Sequence, residues 1–372
     1  MQLVLSFFQR LSKINWFILI ILSLIASIGL VTLYSAADGH FSPWASKQLL
    51  RFIAGLGVLV VLGVVDIRFW LAQSYTLYFI SLFLLIVVEL MGHVGKGGQR
   101  WIDLYIFTLQ PSEIMKISLL MALARYFHNS QPDDMKRLLF LIPPALMILV
   151  PAVLVLRQPD LGTMILLVAA GFSIFFVAGL RLWIMVTGGI LGLSALPIMW
   201  NFLHDYQKDR VLTFLDPERD PLKTGYHILQ SKIALGSGGF LGKGFREGSQ
   251  SHLNFLPEKQ TDFIFAMFCE EFGVLGGSFL LSLYIILIIY GYNVSLKSHS
   301  PYGRFLGLGL TTLFFLYAFV NTAMVTGLLP VVGIPLPLVS YGGTAMITLM
   351  MGLGLLMSIE IHRHVRVSRT SK

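Results

Sequence analysis

The stretch NWFILIILSLIASIGLVTLYSA, residues 15–36, determines the fold class of this chain because it is apolar and contains no charged residue. About 20 such residues in a helix cross the hydrocarbon core of a bilayer. The stretch is too long for the apolar part of a signal peptide and lacks a convincing cleavage site. We therefore interpret it as a retained first membrane span.

Similar apolar runs recur along the 372 residues, of which 56% are hydrophobic and 12% are charged. A soluble globular protein has about 25% charged residues, and the mean hydropathy here is +0.77. We predict an all-α polytopic membrane protein with about ten transmembrane helices in a single domain, residues 1–372. The candidate spans are 15–36, 48–66, 74–92, 111–128, 138–156, 162–179, 182–202, 262–294, 303–326 and 342–361.

The positions of Lys and Arg predict the orientation. They are concentrated in the short segments on the side of the N-terminus, whereas the opposite short segments hold only Lys47, Arg51, Lys96, Arg100 and Arg157. Cytoplasmic loops carry the excess of positive charge, so both termini are predicted to be cytoplasmic. The net charge of +8 then reflects topology and anionic lipid headgroups, and we predict no nucleic-acid partner.

The segment 203–261, between the seventh and eighth spans, is predicted to be a large extracytoplasmic loop. Pro217, Pro221 and Gly225 are expected to mark turns in it, and ILQSKIALGSGG, residues 228–239, is expected to form an amphipathic interfacial helix. The lone Cys269 allows no intramolecular disulfide, and the nine histidines lack ligand spacing. No GxxxxGK[ST] or HExxH motif is present, so zinc enzymes and nucleotide-driven pumps are not indicated.

Ionisable residues instead occur at the predicted outer ends of spans. QPSEIMK, residues 110–116, places Glu113 and Lys116 three positions apart on one helix face. Charges at membrane depth usually face a cavity or a functional path. A structural ion pair that links two helices is the alternative, and the sequence leaves both open.

Two further motifs carry charges at the same predicted side. GKGGQRW, residues 95–101, has Lys96 and Arg100 in a glycine-rich loop that could cradle an anion or simply turn the chain. RQPDLGT, residues 157–163, contains Asp160, which is either a cavity acid or the N-cap of the following helix.

The stretch LPEKQTDFIFA, residues 256–266, places charges directly before the eighth span. If it is helical, Glu258 and Asp262 share one face, Thr261 is an N-cap and Asp262 lies in the first helical turn. The helix macrodipole would favour an acid there. Burial beside apolar walls would instead raise the pKa of the carboxylate and make it a better base.

GLLPVVGIPLPLVSYGGT, residues 327–344, is too broken by Pro and Gly to span the membrane and too apolar for an exposed loop. We predict a re-entrant or cavity-lining segment, with Ser340 and Tyr341 donating hydrogen bonds to a ligand. A rigid hydrophobic plug is the alternative.

The motifs QRWIDL, QPSEIMK, QPDLGT, QSKIALGSGGFLGKG, LPEKQTDFIFA and GIPLPLVSYGGT, in this order, resemble the SEDS family (shape, elongation, division and sporulation) over nearly the whole chain. The short N-terminal arm and GIPLPL resemble its rod-shape branch. Two positions depart from the family pattern: Gln260 stands where many relatives have His, and CEEFG replaces the usual AEELG. No proton relay is assigned to Gln260.

The resemblance implies a peptidoglycan glycosyltransferase that polymerises lipid II at the outer face of the bacterial inner membrane during elongation. It implies that Asp262 is the essential carboxylate, that Glu113 and Lys116 form the family's acid–base pair, and that Asp160 is another cavity acid. It also implies a class B penicillin-binding protein transpeptidase and other elongation-complex membrane proteins as partners.

Glycosyl transfer from a polyprenyl pyrophosphate needs a base for the acceptor hydroxyl and cations for the leaving group. We expect Asp262 to act as the base, with inversion at the donor carbon and undecaprenyl pyrophosphate as leaving group, and Glu258 to orient it. The expected pyrophosphate contacts are Lys116, Arg100, Arg210 and Lys259. A divalent cation, Mg or Mn, could share this task, although the sequence shows no ligand cluster.

Two other functions are compatible with this sequence. One is a flippase for lipid-linked precursors, since intramembrane charges also suit a transporter; Glu270 and Glu271, within the eighth span, are the residues that favour it. The other is a non-catalytic scaffold of the elongation complex.

Overall fold

Each of the ten predicted spans coincides with a helix in the computed structural model. The structure describes residues 7–91, 93–95, 98–103, 108–131, 133–202, 205–216, 224–253, 255–256, 258–365 and 367. Spans one to seven correspond to α2–α8, and spans eight to ten to α12–α14. The helices are α1 (Phe7–Leu11), α2 (Trp16–Ala36), α3 (Trp44–Val64), α4 (Ile67–Met91), α5 (Pro111–His128), α6 (Leu138–Arg157), α7 (Leu161–Val177), α8 (Leu182–Phe202), α9 (Asp205–Leu215), α10 (Thr224–Ser237), α11 (Ser249–His252), α12 (Ile264–Lys297), α13 (Pro301–Val325) and α14 (Thr344–Ile361).

Within the described residues, 7 helices are long and apolar enough to cross a membrane: α2, α3, α4, α6, α12, α13 and α14. Helix α7 and the apolar part of α8, Leu182–Gly192, are shorter. The protein is therefore an all-α polytopic membrane protein, as the sequence predicts, with one small sheet added.

Helix α5 carries the charges that interrupt the fourth predicted span, and packing explains how it tolerates them. It contacts α4, α7 and α13, and most of its residues are buried. The Arg125 guanidinium donates to the carbonyls of Leu71 and Ala72 at 3.0 and 2.7 Å and lies 4.5 Å from the ring centre of Tyr75. Protein groups rather than lipid thus surround these charges.

Helix α12 consists of two helical pieces joined at Gly273. Its 34 residues would extend about 50 Å as one helix, well beyond the roughly 30 Å hydrocarbon core. Gly273 has φ 67° and ψ −169°, a conformation that glycine adopts without a steric penalty. A side chain there would also collide with the backbone of Phe240 and Gly242.

The loop that follows α10 forms backbone hydrogen bonds on both sides of this kink. Lys243 N and Gly244 N donate to the carbonyls of Glu270 and Glu271 at 3.0 and 3.1 Å. In return, Val274 N donates to Gly239 O at 3.0 Å, and Leu275 N donates to Phe240 O at 3.1 Å. The glycine-rich motif thus satisfies the backbone groups that the kink releases, which low-polarity surroundings require.

The segment 203–261 contains more regular structure than the sequence indicates. The predicted amphipathic helix is α10, with Ile228 and Ala234 buried and Leu229 and Ile233 exposed. Gly225 lies inside its first turn, so the predicted turn there is wrong. Helix α9 was not expected, and Pro217 and Pro221 lie outside the described residues.

A three-stranded antiparallel sheet lies between α4 and α5. Its strands are β1 (His93–Gly95), β2 (Gly98–Asp103) and β3 (Thr108–Leu109), in the order β1-β2-β3. In the GKGGQRW motif, Gly95 therefore ends β1 and Arg100 lies on the antiparallel strand β2, while Lys96 lies outside the described residues.

Candidate active site

A cavity of about 450 Å³ opens at the end of the bundle where α5, α7 and α14 begin. This volume is within the range of about 300–1,000 Å³ that is usual for ligand sites. Its walls come from α3, β2, β3, α5, α7, α9, α13, the turn before α12, the segment before α14 and the start of α14 itself. The charged residues that line it are Arg51, Arg100, Glu113, Lys116, Asp160, Arg210 and Asp262.

Glu113 and Lys116 form a buried ion pair at one wall of the cavity. Lys116 Nζ lies 2.8 Å from Glu113 Oε1, and both side chains are almost fully buried. Tyr317 on α13 completes the cluster, since its hydroxyl donates to Glu113 Oε2 at 2.7 Å and accepts a bond from Lys116 Nζ. The pairing predicted from spacing is confirmed. The pair faces the cavity and, through Tyr317, also links α5 to α13. Its geometry therefore fits both a cavity pair and a structural ion pair between helices.

Asp160 likewise combines the two roles that the sequence left open. One carboxylate oxygen accepts a bond from Thr163 N at 3.2 Å and caps α7. The other accepts from Gln110 Nε2 at 3.3 Å. Asp160 therefore starts the helix while lining the cavity.

Arg100 reaches the cavity from β2 and is anchored at its mouth. Its Nε donates to Gln158 O at 3.1 Å, one Nη donates to Pro159 O, and the other lies 4.0 Å from Asp160 Oδ1. Two backbone carbonyls thus fix the direction of the guanidinium. Arg210, on the unexpected helix α9, lines the cavity next to it.

Asp262 lines the cavity, but the predicted helical start around it is wrong. Residues 258–263 form turns, Glu258 has φ 48°, and α12 begins only at Ile264 with no capping side chain. Asn321 Nδ2 donates to Asp262 O at 3.0 Å. Asp262 Oδ2 lies 3.5 Å from the point where a Cβ on Gly333 would be. The carboxylate therefore sits on a turn against the backbone of the broken segment.

The broken segment between α13 and α14 contains turns and irregular backbone but no helix. It lines the cavity through residues 332–335 and 341–343. Three of its backbone carbonyls accept hydrogen bonds from buried side chains. Asn321 Nδ2 donates to Ile334 O at 2.7 Å, the Tyr284 hydroxyl to Pro337 O at 2.6 Å, and Gln48 Nε2 to Ser340 O at 2.8 Å. Irregular backbone survives at membrane depth only where protein or water satisfies it.

Ser340 and Tyr341 join this segment to the turn that carries Asp262. Ser340 Oγ donates to Thr261 O at 2.6 Å and accepts from Leu336 N at 2.8 Å. Tyr341 N donates to Gln260 O at 2.8 Å. Tyr341 lines the cavity, whereas Ser340 is buried behind it.

Arg51 is the cavity cation that the sequence analysis missed as a site residue. Its guanidinium lies 4.6 Å from the ring centre of Tyr341, and its Nη1 is buried with no hydrogen-bond partner among the described residues. The signal was an Arg about two turns into a helix that carries no further charge after it. Next to it, α14 begins at Thr344 after Gly343, which provides no capping side chain. Helix N-termini of this kind attract anions.

Glu258 and Lys259 do not line the cavity. Glu258 is exposed and accepts a bond from Thr261 Oγ1 at 3.0 Å, while Lys259 is buried and donates to Ser251 O at 2.9 Å. Their roles at the substrate stay predictions. The described residues contain no group of three or more His, Cys, Asp or Glu that could hold a metal ion.

Glu270 and Glu271 are buried in α12 away from the cavity. Glu270 Oε1 lies 2.8 Å from Lys243 Nζ and accepts from Gln250 N at 2.9 Å, and Glu270 Oε2 accepts from Ser251 N at 3.2 Å. Glu271 Oε1 accepts from Ser35 Oγ and lies 3.3 Å from His252 Nε2. These carboxylates hold α11 and the loop after α10 to the kink.

Comparison with known proteins supports this likeness over nearly the full length. Residues 9–365 match a family model for FtsW, RodA and SpoVE, described as "Cell cycle protein". The chain is 43% identical over 360 residues, 96% of both chains, to peptidoglycan glycosyltransferase MrdB of Escherichia coli K12. It is 37% identical over 367 residues, 94% of both, to the probable peptidoglycan glycosyltransferase FtsW of Trichlorobacter lovleyi.

Two solved structures have the same fold. One is from a peptidoglycan synthase complex that coordinates polymerization and crosslinking, with a TM-score of 0.80, 32% identity and coverage of 94% of this chain and 98% of that one. The other is the rod shape determining protein RodA of Thermus thermophilus, with a TM-score of 0.71, 27% identity and coverage of 95% and 98%. The chain belongs to the FtsW, RodA and SpoVE family, the SEDS family that its motifs resemble.

Proposed function

We propose that this chain, a peptidoglycan glycosyltransferase of the FtsW, RodA and SpoVE family, extends glycan strands from lipid II with Asp262 as the general base. The observation that carries the proposal is that Asp262 shares one cavity with Arg51, Arg100, Lys116 and Arg210. A carboxylate beside several cations suits the deprotonation of a hydroxyl and the departure of a pyrophosphate.

In the proposed reaction, an acceptor sugar hydroxyl attacks the anomeric carbon of the lipid-linked donor. As the new C–O bond forms, the hydroxyl proton passes to the Asp262 carboxylate. The bond from the anomeric carbon to the pyrophosphate oxygen breaks on the opposite face, so the configuration inverts. The electron pair leaves with undecaprenyl pyrophosphate, and general-base assistance of this kind contributes about 10²–10⁴-fold.

The cations and the start of α14 stabilise the leaving group. Arg100 is held in place by two carbonyls, and Arg51 by the Tyr341 ring, so neither has to reorganise when charge develops on the pyrophosphate. The N-terminus of α14 contributes its free N–H groups.

The remaining residues position this machinery. Glu113 holds Lys116 at the cavity wall, and Asp160 orients Gln110. Ser340 fixes the Asp262 turn through Thr261 O. Glu258 and Lys259 stabilise that turn from outside, where the Lys259 ammonium ties it to α11 through Ser251 O.

We also propose the bacterial inner membrane as the location, with both termini cytoplasmic and the cavity on the outer side. The distribution of Lys and Arg supports this orientation. A class B penicillin-binding protein is the proposed transpeptidase partner, because a structural relative is part of a complex that coordinates polymerization and crosslinking. Other elongation-complex membrane proteins are proposed as further partners.

The two residues that favoured a flippase in the sequence have a structural role instead. Glu270 and Glu271 are occupied in holding the α12 kink and do not line the cavity. The ionisable residues that do line it lie together at one end of the bundle.

Reconstitution of the purified protein with lipid II in detergent tests the proposal. Wild type with its transpeptidase partner should form glycan polymer, and Asp262→Asn should lose at least 100-fold of the rate, the lower bound for a general base. Asp133→Asn changes an exposed aspartate that pairs with Lys136 and should retain full activity. A wild type that makes no polymer but moves lipid II across vesicle bilayers would overturn the proposal.

A further inference from the structure

A second groove lies at the opposite end of the bundle from the active-site cavity. It has a volume of about 330 Å³ and is bordered by the start of α2 and by the ends of α12 and α14. Phe17, Ile286 and Ile289 form exposed apolar walls, and the buried Val294 lies behind them. The groove therefore opens sideways, among side chains that face the hydrocarbon region.

The polar end of the groove carries more positive than negative charge. Lys297 is in the last turn of α12 and Arg363 lies two residues beyond α14, and both are exposed. The single carboxylate, Glu360, is half-buried and accepts bonds from Asn15 Nδ2 at 3.1 Å and from the Tyr290 hydroxyl. Two cations against one carboxylate leave the lining with an excess of one positive charge.

We propose that this groove is a binding site for an anionic phospholipid. The lipid phosphate lies between Lys297 and Arg363, and an acyl chain runs along Phe17, Ile286 and Ile289. The charge excess matches a headgroup with one net negative charge, and basic residues at the end of a span are the usual partners of such lipids. The apolar walls distinguish a lipid from a free anion, because only a lipid has a chain to cover them.

Glu360 gives the site its shape. Because Asn15 and Tyr290 bind its two oxygens, the carboxylate is held against the inner wall and joins the start of α2 to α12 and α14. Arg363 Nε donates to His364 Nε2 at 3.0 Å, which fixes one edge of the exposed guanidinium. The bundle thus holds the headgroup end of the groove in place before lipid binds.

Native mass spectrometry of the delipidated full-length protein, titrated with phosphatidylglycerol, tests the site. Lys297→Gln and Arg363→Gln should each weaken the first binding event about fivefold, the effect of removing one cation near a lipid surface. The double variant should weaken it about 25-fold. Lys136→Gln/Arg137→Gln removes two exposed cations elsewhere and should change binding less than twofold.

Two further arms separate a lipid site from a general anion site. Ile289→Trp, which fills the groove without altering charge, should weaken phosphatidylglycerol binding at least fivefold. Inorganic phosphate at equal concentration should not displace the lipid, and phosphatidylcholine should bind at least fivefold more weakly. Equal losses in the control double variant, displacement by phosphate, or unchanged binding in Ile289→Trp would each overturn the proposal.

Discussion

Two clusters of buried charge flank the first piece of α12, and they differ in what they face. Before the helix, Asp262 shares an open cavity with four cations. About two turns into it, Glu270 and Glu271 are enclosed by Lys243, Ser251, Ser35 and His252. In the enclosed cluster, donors from the loop after α10, from α11 and from α2 meet the carboxylates. In the cavity, the charged groups border a space of about 450 Å³.

This difference shows that burial of charge alone does not indicate a reactive site. Each buried ion needs compensation, and in the enclosed cluster Lys243, Ser35 and His252 provide partners for the carboxylates that hold the kink. The charges of the cavity instead border a space with room for a charged ligand, and Arg51 Nη1 has no hydrogen-bond partner among the described residues. Substitutions in each cluster should therefore have different effects on stability and on activity.

The largest effect is expected from breaking the Glu113–Lys116 pair. Lys116→Met leaves Glu113 buried without its cation and should cost about 3–5 kcal/mol of unfolding free energy. The double variant Glu113→Gln/Lys116→Met should recover most of that stability but not activity, because the cavity still lacks a cation. Thermal unfolding and lipid II polymerisation measure the two quantities. A double variant that polymerises at the wild-type rate would reduce the pair to a structural link.

A smaller effect, on stability only, is expected in the enclosed cluster. Glu270→Gln leaves Lys243 without its carboxylate and weakens several charge-assisted bonds, so it should cost about 1.5–3 kcal/mol. Polymerisation per folded molecule should change less than twofold. Glu247→Gln, at an exposed position of the same loop, is the matched control. A large loss of activity in the folded Glu270→Gln protein would contradict the distinction between the clusters.

Two substitutions of Tyr341 distinguish the contribution of its ring from that of its hydroxyl. Tyr341→Leu removes the ring that stacks on Arg51, and a cation–π contact contributes about 0.5–1 kcal/mol. We expect kcat/KM to fall by about two- to fivefold, while Tyr341→Phe keeps the ring and should remain near wild type. An equal loss in both variants would show that the hydroxyl contacts the ligand, as the sequence analysis predicted.

The smallest effect concerns pH at the edge of the enclosed cluster. The bond from His252, whose Nδ1 lies 2.9 Å from Asp38 Oδ1, lowers the pKa of Asp38 below its ordinary 3.8. A lowered folded-state pKa stabilises the protein above the unfolded value, and this contribution is lost as pH falls through the folded pKa. Melting temperatures of wild type and Asp38→Asn should therefore differ by a constant amount near neutral pH and converge below about pH 3.8. A difference that grows on acidification would contradict this linkage.

Much of the site was predictable because charged residues are rare at the ends of apolar spans. Glu113, Lys116 and Asp160 stand out as charges at span ends, and all three line the cavity. Arg51 breaks the same rule but was assigned to orientation alone. Tyr317 and Asn321 had no local signal, since a Tyr or Asn inside a helix is ordinary until its partner is known.

The start of α12 was mispredicted for a tertiary reason. A helix beginning near Glu258 would need the carbonyls of Thr261 and Asp262 as intrahelical acceptors. Ser340 and Asn321 bind those carbonyls instead, so the first helical acceptor is Phe263 O. Both donors are more than 50 residues away in sequence, beyond the reach of any local pattern.

The sequence by itself determined the membrane class, the ten helical segments and most of the ionisable residues, because hydrophobic length and helical spacing are local properties. The tertiary structure alone decided which of those charges face an open cavity and which are enclosed. Which charges are enclosed depends on the kink at Gly273, on the broken segment before α14 and on hydrogen-bond donors from distant helices. All three result from the packing of segments that are far apart in the sequence.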